Sequence, residues 1–268
     1  METWEVILLG IIQGLTEFLP VSSSGHLILA PRMFGFEDQG LAMDAVLHLG
    51  TLLSIIIFFY RDLWHLFVGL LPGARDAAHR RLAWSIVAAS FPAGLLGLAL
   101  SHWIEENLRS AQFVAGNLLF WSLILWWAHH KSRHQEGSED LFQLTWGQVF
   151  FIGCAQAMAL FPGTSRSGVT LAAGIFSGLR PTAAARFSFL LGTPIILAAG
   201  LLKTYEFLTA PADLYRFDSG QLLTGFLVSF GVGYLAIRLL LEVLGKVGLA
   251  PFIWYRVLLA AVILWQMG

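Results

Sequence analysis

The stretch Gln13-Gly14-Leu15-Thr16-Glu17-Phe18-Leu19-Pro20-Val21-Ser22-Ser23-Ser24-Gly25-His26 decides how this chain is read. It lies inside an apolar segment, about 4–34, and interrupts it with a carboxylate, a proline, three serines, a glycine and a histidine. Irregular backbone at membrane depth persists only where it is buried in protein or lines a wet cavity. The segment therefore predicts a re-entrant helix–loop–helix hairpin that enters the bilayer and returns to the same side. Pro20 should end the first helix, the serines should fill a short loop, and His26 should open the second helix.

The surrounding composition supports a membrane setting. The 268 residues are 57% hydrophobic and only 12% charged, with a mean hydropathy of +0.71, whereas ordinary soluble domains carry about 25% charged residues. A net charge of -1 gives no basic surface for nucleic acid. The single Cys154 excludes an intrachain disulfide. The first residues lack the basic region of a cleavable signal, so the first apolar stretch is expected to belong to the folded protein.

A second break lies at Phe161-Pro162-Gly163-Thr164-Ser165-Arg166-Ser167-Gly168, inside the apolar stretch of about 146–178. Shifting the chain by 143 residues lays Gly10 on Gly153, Gln13 on Gln156, Phe18 on Phe161, Ser22 on Ser165, Ser24 on Ser167 and Gly25 on Gly168. Composition alone would give roughly one or two such matches over this stretch. Further matches follow in the same order, such as Leu49-Gly50-Thr51 with Leu191-Gly192-Thr193. The chain thus reads as one membrane domain, residues 1–268, with internal repeats of about 1–130 and 142–268.

Six other apolar stretches are long enough to span, at about 41–60, 82–101, 113–130, 187–203, 220–240 and 250–267. The expected fold is all-α: six transmembrane helices plus two re-entrant hairpins. Three spans per half is an odd number, so the second half should be inverted relative to the first, with a site where the broken helices meet. The Lys/Arg residues set the orientation. Arg61, Arg75, Arg80, Arg81, Lys131, Arg133, Arg180, Arg186, Arg238 and Lys246 fall on one side, and Arg32, Arg109, Lys203 and Arg216 on the other. The richer side should be cytoplasmic and both termini outside. His129, His130 and His134 match no metal motif and read as a solvated linker. Asp44 and His48 read as polar residues at a helix end.

Gln13 and Glu17, four apart, share one helix face. Arg166 is a guanidinium inside an apolar segment, at a cost of at least ~2.5–3.5 kcal/mol at mid-membrane. Phosphate would be its bidentate partner, and the N-termini of the two returning helices suit the same anion. Glu17 and Arg166 could instead form a purely structural ion pair, and the serines and glycines could serve only close helix packing.

The two breaks resemble the two signatures of the bacterial undecaprenyl-pyrophosphate phosphatase family associated with bacitracin resistance, and the resemblance extends to Phe252-Ile253-Trp254-Tyr255-Arg256. It implies hydrolysis of a polyprenyl pyrophosphate lipid to the monophosphate in the bacterial plasma (inner) membrane, recycling the carrier for wall polymers. It also implies a divalent cation, Mg2+ or Ca2+. The family's functional positions would fall on Glu17, Ser22, Ser23, Ser24, His26, Ser165, Arg166 and Arg256, with Gly25, Ser167 and Gly168 completing the phosphate cradle. Some members carry a second glutamate where this chain has Gln13, so a two-carboxylate clamp is not expected here; Glu17, helped by Gln13, would hold the cation. Ser23 is the expected nucleophile, with His26 or Glu17 as base, and attack by water activated by His26 stands beside it. The competing function is a carrier or flippase for a phosphorylated lipid or small anion, since paired broken helices also build transporters. An oligomer is compatible with either function.

Overall fold

The computed structural model describes residues 1–209 and 217–265, those at 41, 105, 203 and 206–209 by backbone alone. Arg216 and the Lys203 side chain, counted in the charge balance, therefore lie outside the described residues. Eleven α-helices run in order among the described residues: α1 (Thr3–Phe18), α2 (Ser23–Phe34), α3 (Gly40–Phe58), α4 (Tyr60–Leu70), α5 (Ala77–Asn107), α6 (Ala111–His134), α7 (Trp146–Ala157), α8 (Arg166–Phe176), α9 (Pro181–Thr209), α10 (Ser219–Lys246) and α11 (Ala250–Trp265).

All six expected spans fall on helices, the last as far as Trp265 where the described residues end, and four of these (α5, α6, α9 and α10) are long and apolar enough to cross a membrane. A fifth crossing arises if α3 and α4 form one broken span, bent by 87° at Phe59. α11 is apolar but has 16 residues, short of the ~20 that a spanning helix needs. Large side chains point outward along these helices. Phe91 is 70% exposed, Leu98 77% and Trp265 81%. Such a surface suits lipid rather than water, and the protein is embedded in a membrane with several crossings.

Residues 60–70, which follow the expected span of about 41–60, form α4. Leu66 and Gly69 turn inward while Trp64, Phe67 and Val68 stay exposed, so the helix lays one face on the bundle and presents apolar side chains outward, as suits lipid. His129, His130 and His134 lie in the last turns of α6, not in a linker. There Lys131, Arg133 and His134 meet the negative end of the helix dipole, and His129 Nδ1 accepts the Leu249 N–H at 3.3 Å.

Helices from the two halves of the chain interlock. α1 packs along α10 and α7 along α5, while α3 meets both α9 and α10. Glycine permits the first two contacts. A Cβ added at Gly10 would lie 2.9 Å from Val228 Cβ, and one at Gly153 2.7 Å from Ala89 Cα. Without a strong hydrophobic force between helices in lipid, such close backbone approach is a main source of packing energy. The core between the halves includes Phe18, Phe59, Phe187, Phe189 and Leu191, with Phe18 edge-on to Phe189 at 5.4 Å.

Candidate active site

Both breaks have the same local structure. α1 ends at Phe18 and α2 starts at Ser23, with Ser22 as its cap at φ 75°, ψ 92°. Ser165 caps α8 at φ 75°, ψ 108°. Among the described residues no other non-glycine residue has positive φ. Each cap hydroxyl accepts a backbone N–H three residues on, from Gly25 at 3.3 Å and from Gly168 at 3.2 Å. Holding a serine in this region costs about 1–3 kcal/mol, a strain that tends to collect at functional sites. Both glycines make room for the cap: a Cβ at Gly25 would sit 3.3 Å from Ser22 Oγ, and one at Gly168 3.2 Å from Ser165 Oγ. Because Ser22 caps, Ser23, Ser24 and Gly25 form the first turn of α2. They do not fill a loop, and the helix opens three residues before His26.

The 143-residue shift places Ser23 on Arg166, each the first residue of its helix. These equivalent residues meet at one carboxylate. Arg166 Nη2 donates to Glu17 Oε1 at 3.0 Å, and Ser23 Oγ donates to Glu17 Oε2 at 2.8 Å. Gln13 Nε2 donates to the same Oε2 at 3.2 Å. Arg166 Nη1 is anchored on the Ser188 carbonyl at 3.2 Å, while its Nε is buried with no partner. Ser167 Oγ donates to the Leu19 carbonyl at 3.1 Å, tying the second break to the first. Glu17, Ser23 and Arg166 line a cavity of about 260 Å³ with Ser24, Ser165 and Gln156, and its apolar wall includes Leu160, Ile195 and Ile196.

Sequence reasoning missed two members of this wall. His48, expected at a helix end, lies well inside α3, which begins at Gly40. Its Nε2 is 3.7 Å from Glu17 Oε2. Asp44, one turn earlier, lines an adjoining cavity and accepts from Gln39 Nε2 at 2.8 Å. Their four-residue spacing, one helix face, was the available signal. Gln156 is the other, flagged only as the counterpart of Gln13.

His26 and Arg256 are among the expected residues, with Gln13, Ser22, Gly25, Ser167 and Gly168, that are not on the cavity wall. The His26 ring is held by the Ser22 carbonyl at Nδ1 (2.7 Å) and by the Tyr255 hydroxyl at Nε2 (2.6 Å), and it stacks on the Tyr255 ring. Both ring nitrogens are thus engaged away from Glu17. Arg256 is 0% exposed and is not on the cavity wall. It donates to the carbonyls of Pro20, Leu118, Gly163 and Thr164 and to Ser122 Oγ, at 2.9–3.3 Å. Pro20 belongs to one break and Gly163 and Thr164 to the other, so this guanidinium fastens both.

The donor set can be tested against a divalent cation. Among the described residues no group of three His, Cys, Asp or Glu side chains converges as a cation cage. Gln13 Oε1, however, is a buried oxygen without a partner, one helical turn from the Glu17 carboxylate. Both are oxygen donors of the type taken by Mg2+, a cation that keeps several waters and takes its remaining ligands from substrate phosphates; with Nε2 turned to Glu17, the Gln13 amide would have to turn over to bring Oε1 to the same ion.

Residues 6–262 match the family described as Bacitracin resistance protein BacA. The chain belongs to this family. It is 42% identical over 268 residues to the Undecaprenyl-diphosphatase of Alteromonas mediterranea, covering 99% of this chain and 98% of that protein. The Undecaprenyl-diphosphatase 2 of Stutzerimonas stutzeri is 42% identical over 267 residues, with 98% of each covered. The Undecaprenyl-diphosphatase of Hahella chejuensis is 44% identical over 264 residues, covering 97% of this chain and 96% of that protein. Both capped breaks, the cavity and Arg256 lie within the family match.

Proposed function

We propose that this chain hydrolyses undecaprenyl pyrophosphate to undecaprenyl phosphate and inorganic phosphate, at the cavity where the two breaks meet. The observation that carries the site is the single carboxylate, Glu17, held at once by Arg166 from one break and Ser23 from the other. Relatives named as diphosphatases over nearly the full chain length support the reaction.

The residues divide the work as follows. Arg166, with its free Nε–H and its Nη2, takes oxygens of the terminal phosphate, and the N-terminus of α8 adds its backbone N–H groups. Ser23 Oγ attacks the terminal phosphorus, and its proton passes to Glu17 Oε2. The bond from phosphorus to the bridging oxygen breaks, and undecaprenyl phosphate leaves. Water then cleaves the phosphoserine. Glu17 is favoured over His26 as base because it touches Ser23 Oγ, whereas both His26 nitrogens are engaged elsewhere. Catalysis of this kind rests mainly on positioning and on neutralising charge. Glu17 and Gln13 Oε1 would hold a divalent cation, which supplies part of that neutralisation when bound. The apolar wall of Leu160, Ile195 and Ile196 takes the first carbons of the polyprenyl chain. Arg256 acts by holding the two breaks together, not by touching substrate.

The membrane arrangement belongs to the same proposal. Six spans, two re-entrant hairpins and inverted halves agree with the pairing of α1 with α10 and of α7 with α5, which the 143-residue shift interchanges. With both termini outside the bacterial plasma membrane, the hairpin that carries Glu17 opens outward. Phosphate release from undecaprenyl pyrophosphate by purified protein in detergent tests the function. Detergent removes sidedness, so a carrier would release no phosphate and the hydrolase would.

A further inference from the structure

Gln156 is 2% exposed and lines the catalytic cavity on α7, yet neither its Nε2 nor its Oε1 has a partner in the protein. A buried amide left unpaired costs about 1–3 kcal/mol, so a side chain of this kind needs a reason to be there. Its counterpart in the first half shows what has changed. Gln13 Nε2 donates to Glu17, four residues on. Four residues on from Gln156 stands Leu160, which offers no acceptor. The first half pairs its glutamine with an acid; the second has the glutamine alone, on the wall of the cavity that Arg166 also lines.

We infer that Gln156 contacts the substrate, its carboxamide N–H donating to a pyrophosphate oxygen on the side of the cavity that already carries Arg166. This inference rests on the phosphatase reading. It follows from the chemistry of the wall. Glu17 is acceptor-only when ionised and faces the anion with like charge, so donors must come from elsewhere. Arg166, Ser23 and Ser24 supply some, and Gln156 is a neutral donor that adds no charge to a buried site. The amide is unpaired in the free protein and becomes paired when substrate arrives, so its hydrogen bond adds to affinity without breaking one already made.

The test is Gln156→Met, which keeps the length and removes both polar atoms. Purified wild-type and variant protein are compared by thermal unfolding in detergent and by steady-state hydrolysis of undecaprenyl pyrophosphate. The expected result is an unchanged or higher Tm with KM raised about tenfold or more, the size of one hydrogen bond to a charged group, and kcat little changed, as for lost uniform binding. An unchanged KM overturns the inference. So does a clearly lower Tm, which would mean that the amide is bonded within the fold. A wild-type protein that releases no phosphate would instead remove the phosphatase reading itself, leaving the two failures distinguishable.

Discussion

Replacing Arg166 by lysine separates a catalytic guanidinium from a structural ion pair. The Arg166 and Glu17 side chains are 12% and 6% exposed, and they meet at 3.0 Å. Lysine keeps the charge and one contact to Glu17. It cannot reproduce the planar fork that reaches Glu17 and the Ser188 carbonyl together and leaves Nε free. The stability cost should therefore be that of about one hydrogen bond, roughly 0.5–1.5 kcal/mol. The catalytic cost should be larger. Removing one preorganised donor from a transition state typically lowers kcat by roughly 100–1,000-fold, which is about 2.7–4 kcal/mol at 1.36 kcal/mol per tenfold. Arg166→Lys should thus unfold close to the wild-type temperature and retain about 1% of turnover or less. Arg166→Ala behaves differently, because it leaves the Glu17 carboxylate buried without its partner, at about 3–5 kcal/mol. The decisive protein is Glu17→Leu combined with Arg166→Met. Well-packed apolar replacement of a buried pair is often neutral or stabilising, so this double variant should fold and be inactive. Thermal unfolding and phosphate release are measured on all three variants. Recovery of hydrolysis in the double variant would refute the catalytic role of the pair.

Other outcomes follow from the same geometry. Chelation should abolish phosphate release and added Mg2+ or Ca2+ should restore it; full activity in excess chelator would rule out a cation shared by Glu17 and Gln13. Arg256→Met should lower stability by roughly 3 kcal/mol or more, since four carbonyls and a hydroxyl lose a buried donor, and activity should fall with the folded fraction. A variant that keeps its Tm but loses turnover would place Arg256 on the substrate instead. In a Cys154→Ser background, Gln135→Cys should resist a membrane-impermeant thiol reagent in intact cells and Glu37→Cys should react. The reverse pattern would invert the proposed orientation.

Much of this architecture was legible in the sequence because membrane helices leave long apolar runs and because two breaks in such runs are costly. The two breaks, the 143-residue shift and the six apolar helices all follow from those facts. What the sequence left open depends on short-range geometry. Ser22 as a cap at positive φ could not be told from Ser23 or Ser24, since all three are serines in a row. His26 looked suited to proton transfer by residue type, but its direction is set by Tyr255, 229 residues away. Arg256 was expected among the functional positions only through the family resemblance, and the placement of the Pro20, Gly163 and Thr164 carbonyls shows what it holds. The bend at Phe59 left no proline or glycine to mark it.

The pairing of α1 with α10 bears on how the chain is made. About 200 residues separate the end of α1 from the start of α10, and at synthesis rates of 5–20 residues per second that is a delay of roughly 10–40 s. For most of that interval Glu17 has no Arg166, and throughout it Gly10 has no helix to lie against. The first hairpin must wait, with its polar break unassembled, either beside the insertion machinery or at the membrane surface. It can settle only once the second half has arrived. The earliest part of the protein to be synthesised is thus among the last to reach its final place, and a chain interrupted before α10 would expose a charged, half-built hairpin to the cell's quality control.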